Sequence, residues 1–349
     1  MPLKIAVLEE TRPGERRSAM TPAVAAQLEK LGAEIIWRAG AAEAAQADVV
    51  LGVQPPAVEI ARALRPGAVL VSFIYEAQNL ALVEALRERQ AVTFAMERVP
   101  RISRAQSLDA LSSQAALGGY YAALLGATHL SKVLPRMTTA AGAIRPSTAL
   151  VMGLGVAGLQ AIATLRRLGA VLEAYDVRPE TKEEAESLGA KFVQTGVDAR
   201  GAGGYARELT EAERATVAAA LTAHIQNADL VITAAAVPGR RAPRLVTAAQ
   251  VAGMKGGAVI VDLGAESGGN CELSRPGETT TAKGKDGAVT IVAPLNVASQ
   301  LAENASELYA RNVFNLLKLM LKDGTIALDW SDEVLAKTAL TGAQAEVGG

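Results

Sequence analysis

The hydrophobic positions fall into short continuous runs separated by helical patterns. Runs at 3–8, 34–38, 47–53, 68–74 and 92–97 are apolar or β-branched over most of their length. Between them lie stretches such as "TPAVAAQLEKLG" and "NLALVEALRERQ", whose apolar residues recur at helical spacing. The first places Thr21 at an N-cap, Pro22 at the first helical position and Gly32 as the stop. Strands alternating with helices of this length build a parallel sheet covered by helices on both faces. Residues 106–130 read as one long helix able to bridge two domains. From Ser147 the alternation restarts, with strands expected at 148–152, 171–175, 190–193, 229–233, 258–262 and 289–293. A second helical stretch, 297–322, follows and would return the chain to the first domain. The expected fold is α/β, with two Rossmann-like doubly wound parallel-sheet domains joined by long helices. Residues 1–115 plus 300–349 would form one, and residues 116–299 the other. The tail from Asp323 has mixed polarity, and its end, "AQAEVGG", is expected to fray.

Composition narrows the class. A chain of 349 residues is too long for one ordinary core, which agrees with two domains. Half the residues are hydrophobic, aromatics are scarce and glycine is frequent at 32, which suits helices pressed closely on sheets. A net charge of −1 gives no reason to expect nucleic acid. The single cysteine, Cys271, excludes an internal disulfide framework. The chain opens on a strand-like run, "LKIAVLEE", and no signal peptide is expected. Residues 148–165 carry no charge and could be mistaken for a membrane span. Glycines and Gln160 interrupt the stretch and two arginines follow at once, so a strand, a turn and a buried helix explain it better.

That segment carries the strongest chemical signal. Gly153, Gly155 and Gly158 stand in the spacing G-x-G-x-x-G after an apolar strand and at the opening of an apolar helix. The first glycine permits a tight turn, the second lets backbone approach a pyrophosphate, and the third allows close helix–strand packing. The helix N-terminus then offers free N–H groups and its positive dipole end to the phosphates. Asp176 ends the next strand, eighteen residues past the third glycine. A carboxylate there bonds the adenosine ribose hydroxyls and repels a 2′-phosphate, favouring NAD over NADP, although nearby Arg178 blurs that preference. A Gly-rich turn without a ligand is the bland alternative.

Two further stretches stand out. In "PRISRAQSLDALSSQ", Arg101, Gln106 and Asp109 precede or enter the long helix, and Ser112 shares a helix face with Asp109. Ser103 and Gln106 also fit a capping box, so structural and functional readings both remain open. In residues 196–214, "GVDARGAGGYARELTEAER", a Gly-rich charged loop reads as either a lid, with Tyr205 closing over a nucleotide, or a solvated surface loop. The chain holds only two histidines, His129 and His224, both in helical stretches. Alcohol and amine dehydrogenases need an acid/base group, often histidine, whereas hydride exchange between two nicotinamides moves no such proton. The scarcity leans toward the second chemistry. No Cys/His cluster suggests a metal site.

These residues closely resemble the NAD(H)-binding component, domain I, of proton-translocating transhydrogenases. The resemblance runs from Lys4 to the "ALTG" at 339–342. It is most specific in "RPGERRSAMTP", "PRISRAQSLDALSSQ", "GLGVAGLQAIAT" with "DVRPETKEEAESLGAKF", "AGGYAREL" and "VIVDLGAESGGNCELS". It implies that Arg101, Gln106 and Asp109, with Ser112 beside them, present to the nicotinamide and its ribose. It further implies nucleotide contacts at Gly153, Gly155, Val156, Ala157, Gly158, Asp176, Val177, Arg178, Tyr205, Ala234 and Asn296. The family forms homodimers with NAD(H) in the cleft between domains. It docks on an NADP(H)-binding component carried by a membrane domain, and passes hydride between the nicotinamides, coupled to proton movement. The chain would then be cytoplasmic, associated with the inner membrane through separate partner subunits. One departure is a short link, "AAEAAQ", between "IIWRAG" and "ADVVLGV", where the family usually carries an extra helix and strand.

Alanine dehydrogenase shares the overall pattern. Its carboxylate-binding arginine would match Arg17, but its substrate lysine falls on Gln54 and its catalytic histidine near Tyr75. Without them deamination is not expected. A non-catalytic NAD sensor is the third reading. It would keep the glycine turn but not need Arg101, Gln106 and Asp109.

Overall fold

The computed structural model describes residues 2–201, 206–236, 241–322 and 324–342. The chain divides into two compact units, 1–114 with 299–349 and 115–298, each a Rossmann-like doubly wound sheet.

In the first unit the sheet runs in the order Ala339–Thr341, Val92–Ala95, Val69–Ser72, Val49–Leu51, Leu3–Leu8, Ala33–Ala39. All neighbours are parallel except the first pair. Alternation along each strand feeds two cores. Ile5, Val7, Leu51, Val71 and Phe94 pack on one face, and Ala6, Val50, Leu70 and Ala95 on the other. With both faces dry, the strands read as unbroken apolar runs. The helix Ala302–Met320 covers the first face with Tyr309, Ala310, Val313, Leu316, Leu317 and Met320.

The second unit orders its strands Lys191–Phe192, Val171–Tyr175, Thr148–Met152, Leu230–Thr233, Val259–Asp262, Ala288–Val292, Thr279–Lys283. The chain first builds outward on one side of Thr148–Met152 and then returns to the other. The topological switch point therefore lies between Thr148–Met152 and Leu230–Thr233, where ligands of open parallel sheets bind. The uncharged stretch 148–165 is the expected strand, turn and helix, the last spanning Val156–Arg167. Among the described residues no helix is long and apolar enough to cross a membrane.

Several expectations need correction. The long helix begins at Ala110, not 106. Residues Ser103–Leu108 form a tighter 3₁₀ turn, with Ile102 at its cap and no side-chain cap bond, so the Ser103/Gln106 capping box is not formed. Asp109 caps the helix instead. Its carboxylate accepts from Ser112 N–H at 2.9 Å and from the Ser112 hydroxyl at 2.5 Å. The loop expected over 196–214 ends at Thr210, which forms a capping box with Glu213 at the head of the helix Glu211–Asn227. The mixed tail from Asp323 carries the helix Glu333–Thr338 and the strand Ala339–Thr341, paired antiparallel to Val92–Ala95. Its last residues, "AQAEVGG", lie outside the described residues. The short link after the strand Ala33–Ala39 is a four-residue helix, Ala41–Ala44.

Adjacent glycines in the helix Ala110–His129 separate packing from propensity. A Cβ at Gly118 meets nothing within 4 Å, whereas one at Gly119 would overlap the Ala157 carbonyl. Gly118→Ala is expected to stabilise the protein by about 0.5–1 kcal/mol through helix propensity. Gly119→Ala should destabilise it by about 1–3 kcal/mol through overpacking. Urea unfolding of the two variants checks the opposite signs.

Candidate functional site

The glycine turn of the second unit has the geometry each glycine is needed for. Gly153 has φ +94°, and a Cβ there would lie 2.6 Å from Ala235 N, so side chains are excluded where the turn meets the end of Leu230–Thr233. Gly155 is exposed, with nothing within 4 Å of an added Cβ, which leaves the approach to the helix N-terminus open. A Cβ at Gly158 would overlap the Gly153 carbonyl, so this glycine lets helix and turn close on each other. Val156, with Ala157 beside it, follows on the exposed first turn of the helix. An open cradle of N–H groups with no side chain in the way fits a dinucleotide pyrophosphate.

Asp176 follows the neighbouring strand and is only 9% exposed. It accepts Leu154 N–H from the glycine turn at 2.7 Å, Arg178 N–H at 2.9 Å, and the Arg178 guanidinium at 2.9 and 2.8 Å. Asp176 thus ties the turn to the next strand, and its charge is shared with Arg178. Ala234 N–H donates to the Met152 carbonyl at 2.8 Å, extending the strand pairing past Thr233 to the switch point. The Val177 carbonyl accepts Ala199 N–H at 3.0 Å, anchoring the start of the following loop. Asn296 sits at φ 47°, and its N–H donates to the Glu266 carboxylate. The structure therefore gathers Gly153, Gly155, Gly158, Asp176 and Ala234 at the carboxyl ends of three neighbouring strands. Tyr205 lies outside the described residues.

Sequence reasoning missed Asp262, which is fully buried at the end of Val259–Asp262. Its two oxygens accept from the Thr233 hydroxyl, the N–H groups of Gly264, Asn270 and Cys271, and the Ser274 hydroxyl, at 2.6–3.1 Å. It holds the strand before Ala234 to the "DLGAESGGNCELS" loop. An acidic residue ending an apolar strand was the available signal.

In the first unit, the 3₁₀ turn Ser103–Leu108 inserts Ala105 and Leu108 into the core. At three residues per turn, that leaves Gln106 on an outward side, where it is exposed. Arg101 is exposed just before it, and Asp109 and Ser112 follow as the half-buried cap pair. Arg104 grips Asp332 through two bonds of 2.9 and 2.7 Å, linking the turn to the C-terminal segment.

The switch point of this unit carries a charge cluster. Glu10 accepts Val53 and Gln54 N–H at the end of Val49–Leu51. Burial pushes its carboxyl up to about 7 against those bonds. The folded state thus holds this proton more tightly than the unfolded chain, so Glu10 favours folding below about pH 4.5, and the contribution is lost as pH rises through about 7. Arg17 is 7% exposed and fork-bonded to Glu15 at 2.9 and 2.7 Å, and its third arm reaches Gln114 at 2.9 Å. Burial alone would raise the Glu15 carboxyl, but Arg17 outweighs it and holds it at about 2. Gln54 donates to Glu15 at 2.7 Å, and Tyr75, at φ 48°, stacks on Phe73 at 5.4 Å.

The remaining reactive groups have structural partners. His129 bonds the Leu125 carbonyl of its own helix and His224 pairs with Glu173, both through Nδ1. Burial pushes the Cys271 thiol up, away from the thiolate needed for nucleophilic chemistry. Among the described residues no cluster of His, Cys, Asp and Glu could hold a metal ion.

Residues 122–346 match the alanine dehydrogenase/PNT C-terminal domain and residues 32–118 the N-terminal domain. The chain belongs to the alanine dehydrogenase/PNT family. Within it, the chain is 43% identical to an NAD(P) transhydrogenase subunit alpha chain of Rhodospirillum rubrum, over 97% of this chain and 96% of that one. Alanine dehydrogenase of Mycobacterium tuberculosis is more distant, 31% identical over 78% of this chain and 76% of the relative. The crystal structure of a transhydrogenase from Sinorhizobium meliloti superposes with a TM-score of 0.86 at 40% identity, covering 97% of this chain and 98% of that one. An L-alanine dehydrogenase shares the fold, with a TM-score of 0.76 at 22% identity over 98% and 96% of the two chains.

Arg17→Ala is expected to leave Glu15 buried without its main partner. The predicted loss at pH 7 is about 3 kcal/mol, the low end for breaking a buried pair because Gln54 still donates. The loss should shrink toward about pH 4, as the orphaned carboxyl takes up a proton. Urea unfolding across pH checks this, and a pH-independent loss would mean the Arg17–Glu15 charge is not what the variant removes.

Proposed function

We propose that this chain is the NAD(H)-binding component of a proton-translocating transhydrogenase. It binds NAD(H) on the glycine turn of the second unit and exchanges a hydride directly with NADP(H) held by a partner component, coupled to proton translocation. The observation that carries the proposal is the near full-length similarity to a transhydrogenase subunit alpha chain of almost the same extent. The glycine turn keeps its open cradle and its anchoring carboxylate, which supports it further. In this reading the chain works as a homodimer, at the cytoplasmic face of the inner membrane, through NADP(H)-binding and membrane partner subunits.

The nicotinamide ring supplies the hydride at its C4 when NAD(H) is bound. The N–H groups at Gly155, Val156 and Ala157 receive the pyrophosphate. Asp176 bonds the adenosine ribose, flanked by Val177, with Arg178 held on the carboxylate and so kept from a 2′-phosphate. Ala234 and Asn296 line the nicotinamide half. Arg101, Gln106, Asp109 and Ser112 orient the ring, because transfer between two nicotinamides depends on close alignment rather than on an acid or base. Alanine deamination is the weaker reading, since in the resemblance the lysine and histidine it needs fall on Gln54 and near Tyr75, and Glu15 already engages Arg17.

Single-turnover mixing tests the reading. The NADH-loaded chain is mixed with a soluble NADP(H)-binding transhydrogenase component carrying NADP+, with pyruvate plus ammonium as the control acceptor. Rapid transfer only to the NADP+ component is expected. Tight NADH binding without transfer to either acceptor would favour a sensor, and turnover with pyruvate would favour an amino-acid dehydrogenase. In the same assay, Gln106→Asn is expected to slow transfer about 10–100-fold while NADH affinity stays within about twofold, because it moves the ring and not the phosphate grip. Asp176→Ala should weaken NADH binding about 10–100-fold, the worth of a charge-assisted bond, and narrow discrimination against NADPH. Unaltered nucleotide preference in titrations would remove Asp176 from that role.

A further inference from the structure

The residues proposed to orient the nicotinamide sit in or beside a 3₁₀ turn, a geometry with poorer hydrogen bonding than an α-helix and rarely long. Something other than its own backbone has to hold it. The structure supplies that hold from the helix Ala302–Met320. Asn312, 7% exposed, donates from Nδ2 to the Ser107 carbonyl at 2.8 Å and accepts the Ser113 hydroxyl on Oδ1 at 2.7 Å. Asn315, nearly a full turn further along, donates to the same Ser107 carbonyl at 3.2 Å.

We infer that Asn312 is a positioning residue for hydride transfer. It fixes the Ser107 carbonyl, between Gln106 and Asp109, to the first turn of the following helix at Ser113. The inference rests on the proposed transhydrogenase reading and deepens it. Ser107 lies one residue from Gln106 and two from Asp109, so freeing its carbonyl frees both side chains. Both ends of the Asn312 amide are used, one as donor and one as acceptor, so no other side chain of this size serves. Aspartate matches its shape but offers the Ser107 carbonyl a second acceptor instead of a donor. The network continues from Ser113 to Gln114, whose Nε2 donates to Ser113 Oγ at 3.3 Å and to the Ala305 carbonyl at 3.1 Å. Gln114 in turn accepts from Arg17. The turn is therefore braced against the helix Ala302–Met320 and the charge cluster of its own unit. Its loss should change ring alignment and leave the pyrophosphate grip alone.

The test uses the full chain with the NADP+-loaded partner component, reading three quantities for each variant: NADH affinity, thermal midpoint, and the single-turnover rate per bound NADH. Asn312→Ala and Asn312→Asp are expected to lower the rate at least about tenfold with NADH affinity within about twofold, a split that lowered stability alone would not produce. Asn312→Asp should be no faster than Asn312→Ala although it is nearly isosteric. Arg311→Ala, which removes an exposed pair with Glu307 on the same helix, is the control and should keep the wild-type rate. An unchanged rate in both Asn312 variants, or rate and affinity falling in proportion, would overturn the inference. If Asn312→Ala does not fold, the Ser113→Ala/Asn315→Ala double variant carries the test, with a roughly two- to fivefold slowing expected and an unchanged rate overturning it. A wild-type chain that transfers no hydride would instead overturn the functional reading itself.

Discussion

Where a parallel strand ends, its backbone N–H groups and those of the loop after it lose their strand partners, and in a buried sheet edge they need others. This protein meets that need with carboxylates in both units, half-buried in the first and buried in the second. Glu10 takes Val53 and Gln54, and Glu97 takes Ile74 and Tyr75. Asp176 takes Leu154 and Arg178, and Asp262 takes Gly264, Asn270 and Cys271. Each fixes the loop leaving a strand, at the carboxyl ends of the strands where an open α/β fold binds ligands. The shape of the candidate nucleotide turn depends on two of these acids. Asp176 holds Leu154 inside the turn, and Asp262, through Thr233, holds the strand that Gly153 abuts.

The two units answer the same constraint with different consequences. In the second, the acids leave the helix N-terminus at Gly155 open. In the first, the switch point is filled by the protein's own charges: Glu15 and Gln114 engage Arg17, and Glu10 takes the free N–H groups of the neighbouring strand. An arginine so engaged has little left for a substrate carboxylate. That difference separates a unit whose helix N-terminus stands open from one whose switch point is already occupied. It agrees with greater similarity to transhydrogenase alpha chains than to alanine dehydrogenases.

Much of this was legible in the sequence where the determinant was local. Leu3–Leu8, Thr148–Met152 and Val171–Tyr175 are apolar runs long enough to read alone, and their bounds agree with expectation. The glycine turn and Asp176 are likewise local, a spacing and a strand end. The edge strand Thr279–Lys283 was not legible, because "TTTAK" alternates between half-buried and exposed positions and is recruited by its antiparallel neighbour. Ala339–Thr341 was missed because three residues gain strand character only from pairing with Val92–Ala95, far away in sequence. The helix start was misplaced by four residues because the Ser107 carbonyl is claimed by Asn312 and Asn315, more than two hundred residues on. Glu10 and Asp262 escaped for the same reason, since the backbone donors that define them are set by the fold and not by spacing.

The central claim is that hydride passes straight from one nicotinamide to the other, with no acid, base or solvent proton involved. The most direct measurement is isotope tracing. NADH carrying deuterium at both C4 positions of the dihydronicotinamide is given to this chain with its NADP+-loaded partner component, and the product NADPH and the water are analysed by mass spectrometry and NMR. The account predicts that all of the transferred deuterium is found at C4 of NADPH and none in water. Deuterium washed into solvent, or NADPH formed without label, would contradict it.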